Sequence, residues 1–540
     1  MDVLVGYRVF VFCAIMMLHA GYSFTRLCSQ LHMLQLNSYF LDRYATYCKR
    51  SITKLWHIQD FEPLLALLGV WLSSPDLMLI ILALAYSKML LSYQPTVKIK
   101  KKLVFTARVW RLLLVSALVW SLGYYYCWHS WAVQSANFLI DTVVLLVGCV
   151  LLLPLILAVC NVLLMPIEWT ICRYYFCDAK KVLERFDNLK RIGITGSFGK
   201  TTTKYILNSL LSSEFITLKT PGSYNTPMGI AKVVRGQLRP IHQIFVAEMS
   251  ARLPGDIREL CELVKPQYGL ITVIGEQHLE YFKSLDRIKR TKYELIEALP
   301  PDGVAFFNLD DPNSLELINS TSNVRKVTFS LRDSRADYYL GEVVASAGGS
   351  HFKIWVRGEL QAPLFTTMLL GKTNLYDIVA AIAVASELGV SLERLAAVMP
   401  TVVPVPHRLE LRVSADGTVI IDDSYNANPV GSKQALEVLA SFTAGRKLIV
   451  TPGMIELGAH EDDYNRDFAR AMVDVCDYVI IVGKHCRRAL LEGLKEMNYP
   501  EDKIFVADNF YQARDHLQQM TKAGDVVLFE NDFTDDYEGN

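Results

Sequence analysis

Four apolar stretches crowd the first third of the chain: Val3 to Phe24, Leu77 to Tyr93, Leu112 to Cys127 and Phe138 to Met165. Each is about as long as the roughly 17 to 25 residues needed to cross a bilayer. Such lengths are expected to fold as membrane helices, and they raise the mean hydropathy of the whole chain to +0.23. Pro63 to Trp71 is also apolar but short, and Ser73, Ser74, Pro75 and Asp76 interrupt any helix there, so it reads as an interfacial or re-entrant piece. The first stretch resembles a signal peptide in length only. Its start is almost uncharged and no small-residue cleavage site follows, so it is expected to be retained.

Positive charge sets the expected orientation. Lys98, Lys100, Lys101, Lys102, Arg108 and Arg111 lie between the second and third stretches, whereas Cys127 to Asn137 has no lysine or arginine. Arg173, Lys180, Lys181 and Arg185 follow the last stretch and place the remainder in the cytoplasm of a multi-pass membrane protein. Arg26, Arg43, Lys49, Arg50 and Lys54 conflict with this scheme, because a four-span count puts them outside. The spans show no internal charge network beyond Arg8 and Asp141, which argues against a transporter. With 55 basic and 55 acidic residues the chain gives no reason to expect a nucleic-acid partner. Its 11 cysteines include no CxxC pair and read as small buried residues.

From Lys190 onward the texture changes to short β-rich runs alternating with amphipathic helices, as in parallel α/β domains. Expected strands are Arg191 to Thr195, Gln243 to Ala247, Tyr268 to Ile274 and Val304 to Asn308, with helices at Thr202 to Leu211 and Leu285 to Leu299. Arg335 to Thr366 reads as an antiparallel addition and Leu375 to Leu388 as helix. Thr401 to Pro406 reads as a hinge. Beyond it, Val419 to Ile421, Lys447 to Val450, Tyr478 to Val482 and Val526 to Phe529 are strands of a second doubly wound domain, and Glu530 to Asn540 an acidic frayed tail.

Arg191 to Lys204, RIGITGSFGKTTTK, orders a strand, a glycine turn and a helix start, which builds a phosphate cradle. Gly196 and Gly199 permit the tight turn, Lys200 would reach terminal phosphates and Thr201 would hold Mg²⁺. Ile194 stands where the common GxxxxGK[ST] loop has its first glycine, so the spacing is shorter than that pattern. Glu248 follows an apolar strand and His278 another, at the strand ends where ligands gather; each is a candidate metal ligand or, alternatively, an ordinary polar residue at the surface. Lys292 sits in an amphipathic helix, where a solvated lysine is the ordinary expectation. Asp422 and Asp423 end a strand, Asn428 and Pro429 signal a helix start, and Arg408 follows the hinge as a possible anion clamp or a surface residue.

Taken in order, TGSFGKTTT, VAEMS, VIGEQHLEYF, RTKYE, NLDDP, GKTNLYD, PHRLE, IDDSYNANP and GMIELG resemble the Mur ligase family, above all its D-alanyl-D-alanine-adding branch. The resemblance runs from Lys190 to Asp525. It implies an ATP-dependent ligase that activates a substrate carboxylate as an acyl phosphate and joins it to an amine. By motif, Gly196, Ser197, Gly199, Lys200, Thr201 and Thr202 would bind ATP, with Asn308, Asn374, Arg408 and Asp423 as further nucleotide contacts. Thr201, Glu248, His278 and a carbamylated Lys292 would hold Mg²⁺, and Lys200, Lys292 and His278 would carry the catalysis. The implied organisation is a multi-pass transmembrane domain over residues 1–170, a linker over 171–189, a P-loop central domain over 190–400 and a Rossmann-like domain over 401–540. Expected partners are the lipid bilayer, other membrane proteins, a carboxylate-bearing envelope precursor, and an amino acid or short peptide. The alternatives are a tethered peptidoglycan ligase and a retired ATP-binding scaffold or sensor. Three departures stand out: no sugar-nucleotide-binding domain precedes the loop, Thr373 and Asp377 replace the usual histidine and asparagine around Asn374, and an acidic segment replaces a basic, glycine-bearing one at the end.

Overall fold

A computed structural model describes residues 2–50, 55–56, 58–72, 74–92, 102–132, 138–276, 279–346, 348–425, 427–455 and 457–532. The chain divides into two compact units, the first ending at Ile171 and the second running Cys172–Asp532. Lys98, Lys100, Lys101, residues 133–137 and the tail beyond Asp532 lie outside the described residues.

The first unit is helical: Asp2–Leu36, Leu41–Arg50, a 3₁₀ segment Ile58–Ala66 continued by Leu67–Trp71, then Pro75–Ser92, Ala107–Ala132, Phe138–Leu151 and Leu153–Glu184. Two stretches, Tyr7–Leu36 and Leu153–Glu184, are long and apolar enough to cross a membrane; Ile140–Leu151 is apolar but shorter. The expected fourth span breaks at Leu152, because Pro154 has no N–H to give to the Val150 carbonyl one turn before it. Its outer face is apolar, with Phe10, Leu84, Leu91, Leu114, Leu122 and Leu163 all exposed. The inner face carries charge that the sequence did not reveal. Arg26 donates to Asp60 at 2.9 Å and to the Leu55 carbonyl, and Tyr22 OH donates to Asp60 at 2.5 Å, all of them buried.

The second unit holds two sheets. The larger is built from β1 (Lys190–Thr195), β2 (Thr217–Lys219), β3 (Ile244–Glu248), β4 (Tyr268–Ile271), β5 (Val304–Asn308), β6 (Arg325–Ser330), β7 (Tyr338–Ser346), β8 (Gly349–Val356), β9 (Glu359–Leu360) and β10 (Phe365–Thr367). Its order is β10-β8-β7-β6-β5-β4-β1-β3-β2, with β9 beside β8. Pairs from β2 across to β7 are parallel, and those among β7, β8, β9 and β10 are antiparallel. The antiparallel addition therefore extends the same sheet. One face packs on helices Lys200–Leu211 and Lys372–Glu387, whose inward residues include Leu207, Leu210, Ile378 and Ile382. The other packs on Pro227–Gln237, Asp256–Val264 and Leu285–Glu297. Residues 171–184, expected as linker, are helical, and Phe176, Ala179 and Leu183 enter this second core.

The smaller sheet comprises β11 (Glu410–Val413), β12 (Val419–Asp423), β13 (Lys447–Thr451), β14 (Tyr478–Val482), β15 (Ile504–Ala507) and β16 (Val526–Glu530), in the order β11-β12-β16-β13-β14-β15. Only β11 is antiparallel. Helix starts follow their local chemistry. Asn428 accepts N–H bonds from Val430 and Gly431 with Pro429 in the first turn, and Ser284 caps Leu285–Glu297 in the same way.

Candidate active site

β1 delivers the chain to a turn that only glycine fits at two points. Gly196 has φ 148°, and a Cβ there would lie 2.0 Å from Thr272 Oγ1. Gly199 has φ 81°, and its Cβ would lie 2.3 Å from Asp377 Oδ1. The turn is pinned from β4: Ser197 N donates to Val273 O at 2.6 Å, Ser197 Oγ to Gly275 O at 2.8 Å and Thr272 Oγ1 to Phe198 O at 2.5 Å. Helix Lys200–Leu211 starts behind it without a side-chain cap. Its first N–H groups and positive dipole end are thus left for an anion.

Lys200 Nζ donates to Gly196 O at 2.7 Å and Ser197 O at 3.0 Å, holding the turn closed over itself. Burial pulls its pKa down to about 8; the Glu248 carboxylate opposes that shift and the Arg408 charge adds to it. A neighbouring phosphate would restore the full positive charge. Glu248, the last residue of β3, is 1% exposed. It accepts from Thr201 Oγ1 at 3.0 and 3.1 Å, Lys204 Nζ at 2.7 Å and Asn225 Nδ2 at 3.0 Å. Burial alone would raise its pKa, but Lys204, Lys200 and Asn225 together hold it below the ordinary carboxylate value. Lys292 is 2% exposed on Leu285–Glu297. Burial, reinforced by the Lys200 charge, holds its pKa well below the usual lysine value. Among the described residues it makes no hydrogen bond or ion pair, since Glu294 beside it is taken by the Gly255 and Arg258 N–H groups at 2.8 and 2.9 Å. His278 lies outside the described residues.

The nucleotide-side candidates separate. Gly199, Thr202, Asn374, Arg408 and Asp423 line one cavity, joined by Phe198, Thr373, Asp377, Gln434 and Glu530. Asn308 is not part of that wall: it is buried at the end of β5, and its Oδ1 accepts Asp310 N at 3.0 Å in a local turn. Arg408 is aimed by strained backbone, flanked by His407 at φ 62° and Leu409 at φ 45°. Leu409 N donates to Asp423 Oδ1 at 3.2 Å, and the Arg408 guanidinium lies 4.5 Å from the Tyr425 ring centroid. The cation lowers the carboxyl pKa values of Asp377, Asp423 and Glu530, yet burial wins at each. Asp377 is lifted to about 7 and Asp423 to about 6, and Glu530 is driven far above its ordinary value by burial and by Asp423.

Three of these residues escaped the sequence reading. Lys204 carried a signal, one helical turn after Lys200 and so on the same face. Asp377 showed only as an odd residue in a motif, not as a carboxyl hydrogen-bonded by Thr203 Oγ1 at 2.7 Å. Glu530, expected in a frayed tail, is instead the fully buried end of β16; the apolar run Val526 to Phe529 ahead of it continues the strand through it.

Residues 194–385 match the Mur ligase middle domain and residues 407–530 the Mur ligase glutamate ligase domain. The UDP-N-acetylmuramoyl-tripeptide--D-alanyl-D-alanine ligase of Bacillus subtilis is 31% identical over 344 residues, which is 63% of this chain and 72% of that protein. The chain belongs to the Mur ligase family. Among solved structures, this Mur ligase is similar to MurF from Acinetobacter baumannii, with a TM-score of 0.60 at 26% identity over 67% of this chain and 77% of that one. It is likewise similar to MurF from Thermotoga maritima in complex with ADP, with a TM-score of 0.59 at 27% identity over 67% and 80%. The Mur ligase is thus an ATP-dependent enzyme of C–N bond formation, with the family's central and C-terminal domains preceded by helices apolar enough for a membrane.

Proposed function

We propose that the protein is a multi-pass membrane ligase that joins an amino acid or short peptide amine to a carboxylate on a cell-envelope precursor, with its ligase domains in the cytoplasm. The observation that carries the catalytic half is the cluster at the end of β1 and β3. Thr201 Oγ1 and Glu248 present oxygens 3.0–3.1 Å apart. Adjacent ligands of an octahedral Mg²⁺ at 2.0–2.1 Å are separated by about 2.9 Å, so these two fit that ion. His278 would complete the set. Lys292 is buried with its pKa held well below the usual lysine value, which favours the neutral amine that adds CO₂, and as a carbamate it would offer a second oxygen ligand. Mg²⁺ supplies charge neutralisation along the phosphates.

The chain's own residues bind and orient. Gly196, Ser197, Gly199 and Thr202 cradle the phosphates, and Lys200 meets the γ-phosphoryl group. Asn374, Arg408 and Asp423 contact the nucleoside side, with Asn308 further off. The substrate carboxylate attacks the γ-phosphorus, the β–γ bond breaks, and ADP leaves an acyl phosphate; the amine then attacks the acyl carbon, forms the amide and expels phosphate. Closure of the C-terminal domain, marked by Tyr464 OH donating to Glu276 Oε2 at 2.5 Å, keeps water from the acyl phosphate.

The relatives are named for adding D-alanyl-D-alanine to a UDP-muramoyl tripeptide, and the same amine class is proposed here, with the acceptor lipid-linked or delivered by a membrane protein. Five crossings are proposed for the helical unit. Arg8 pairs with Asp76 at 2.9 Å and Gly21 faces Leu90, so Asp2–Leu36 and Pro75–Ser92 run the same way. The chain must therefore return between them, through Ile58–Ala66 and Leu67–Trp71.

Purified full-length protein should hydrolyse Mg·ATP when given the right acceptor and amine, with the amide identified by mass spectrometry. Product formation that survives Lys200→Ala would sink the catalytic reading.

A further inference from the structure

The helical unit holds an arginine that its own fold orients but leaves without an anion. Arg26 is matched by Asp60 at 2.9 Å, and Arg111 by Glu168 at 2.7 Å. Arg108, one turn before Arg111 on Ala107–Ala132, meets no carboxylate among the described residues. Its Nη2 donates to Asn161 Oδ1 at 3.0 Å, and its guanidinium carbon lies 4.0 Å from the Tyr39 ring centroid. Its Nε is buried with no acceptor. An amide oxygen and a ring face offer partial charges only, so the group is held in place and not neutralised. The seat is rigid, because Asn161 is buried and its Nδ2 donates to Tyr39 O at 3.2 Å. It is thus built from Ala107–Ala132, from Leu153–Glu184 and from the turn that follows Asp2–Leu36.

The surroundings add positive charge and no anion to spare. Glu168 is taken by Arg111, the first turn of Ala107–Ala132 contains no acidic residue, and its N–H groups present the positive end of the helix dipole. Lys102 stands exposed on the segment leading into that helix. A half-buried guanidinium between apolar helices calls for a counter-charge, and aromatic side chains mark the depth at which it sits. Trp110, two residues beyond Arg108, and Trp169, next to Glu168, are 60% and 70% exposed, and Phe105 is exposed beside Trp110 with ring centroids 5.5 Å apart. Exposed tryptophans on spanning helices lie at the headgroup level of a bilayer. The anion abundant there is a lipid phosphate, and the planar fork of arginine is the side chain suited to it.

We propose that Arg108, seated by Asn161 and Tyr39, is a binding site for the phosphate of an anionic lipid. The phosphate comes from a phospholipid headgroup or from a single-chain lipid phosphate of the kind that would carry a lipid-linked acceptor. This rests on the reading of the helical unit as membrane-spanning and adds a ligand site to it. The test is native mass spectrometry of the full chain released from nanodiscs of POPC alone, POPC with POPG, and POPC with a polyprenyl phosphate, measuring the lipid that stays bound. Wild type is expected to retain an anionic lipid at least about fivefold over POPC, the worth of a single cation near the headgroups. Arg108→Gln should bring retention to within about twofold of POPC, while Lys102→Gln, which removes an exposed charge outside the seat, should keep the wild-type preference. Retention of POPG, of the polyprenyl phosphate or of both supports the site and names its source. Retention of neither above POPC overturns it, as does an Arg108→Gln variant that retains lipid as wild type does, or a Lys102→Gln variant that loses it to the same degree. A wild-type chain that stays in solution without detergent or lipid overturns the membrane reading itself. If Arg108→Gln does not fold, the wild-type series and Lys102→Gln decide.

Discussion

Lys204→Met isolates the buried ion pair behind the phosphate turn. The Lys204 and Glu248 side chains are 0% and 1% exposed and meet at 2.7 Å, with Gly222 O taking a second ammonium proton at 2.6 Å. Met keeps the length of the side chain and removes the charge, leaving Glu248 with Thr201 and Asn225 as its donors. Breaking one partner of a buried pair costs about 3–5 kcal/mol. An independent ceiling comes from protonation: at pH 7.5 a carboxyl of ordinary pKa near 4.3 can shed its charge for about 4 kcal/mol. The two figures agree. At about 2.1 cal/mol/K per residue over Cys172–Asp532, 1 kcal/mol moves the melting temperature by about 1.3 °C, so a fall of about 4–6 °C is expected. Differential scanning fluorimetry of the full chain measures it, following the transition that Mg·ATP shifts. The pH dependence has a definite sign. Lys204 depresses the Glu248 pKa in the folded state, so the pair's contribution is full above the unfolded carboxyl value and is lost as pH falls through the folded one. The gap between wild type and variant must therefore close in acid, and Lys204→Met/Glu248→Gln, which removes both charges, must recover most of the loss at pH 7.5. A single variant melting within 1 °C of wild type would refute the reasoning.

Gly199→Ala combines a φ of 81° with a 2.3 Å approach to Asp377 Oδ1, so it should weaken Mg·ATP binding by at least about tenfold in calorimetry, the strain alone being about 1–2 kcal/mol. Asp377→Asn should stabilise. Burial lifts the wild-type carboxyl to about 7, so its folded state holds a proton that the unfolded state releases above about 3.9; the advantage of the variant grows from pH 4 to pH 7, reaches about 4 kcal/mol and then levels, read as a melting difference near 5 °C. Lys292→Ala should cut amide formation by at least about a hundredfold with nucleotide affinity kept within about threefold, and wild-type activity should fall in CO₂-stripped buffer and return with bicarbonate. For the helical unit, an alkaline phosphatase fused after Ala132 should be active outside the cytoplasm and one fused after Ser92 inactive; the reverse pattern overturns the proposed orientation.

The ligase half was legible because its constraints are local. A strand, two glycines and a lysine within Arg191–Lys200 leave few ways to arrange a backbone around an anion, and Asn428–Pro429 names its own helix start. What stayed hidden depends on contacts distant in sequence. Nothing near Asp377 announces that Gly199 will approach it to 2.3 Å, and nothing in a run of acidic tail residues marks Glu530 as the one that β16 carries inside against Asp423. Patterning also gave the wrong exposure for Lys292: the polar side of its helix holds a lysine that the fold buries within reach of the Lys200 charge.

The helical half was legible in part: of the four apolar stretches, the structure gives two helices, Tyr7–Leu36 and Leu153–Glu184, long and apolar enough to cross a membrane. Arg26, Arg43, Lys49, Arg50 and Lys54 conflict with a scheme in which Pro63 to Trp71 does not cross. Gln35 Nε2 donates to Val104 O at 2.8 Å and Gln35 Oε1 accepts Val104 N at 2.9 Å, tying the end of the first helix to the basic stretch before Ala107–Ala132. Tyr44 OH donates to Gln30 Oε1 at 2.7 Å, keeping Leu41–Arg50 at that same end. A crossing by the short 3₁₀ and α segments would bring Arg43 and Lys49 to the same side as Lys102, Arg108 and Arg111, as the positive-inside preference asks. The irregular segment Ile58–Ala66 is also where charge is buried: Asp60 accepts from Arg26 at 2.9 Å and from Tyr22 OH at 2.5 Å, so its carboxylate is met by protein donors inside the helical unit, the condition under which a buried charge between apolar helices is tolerated.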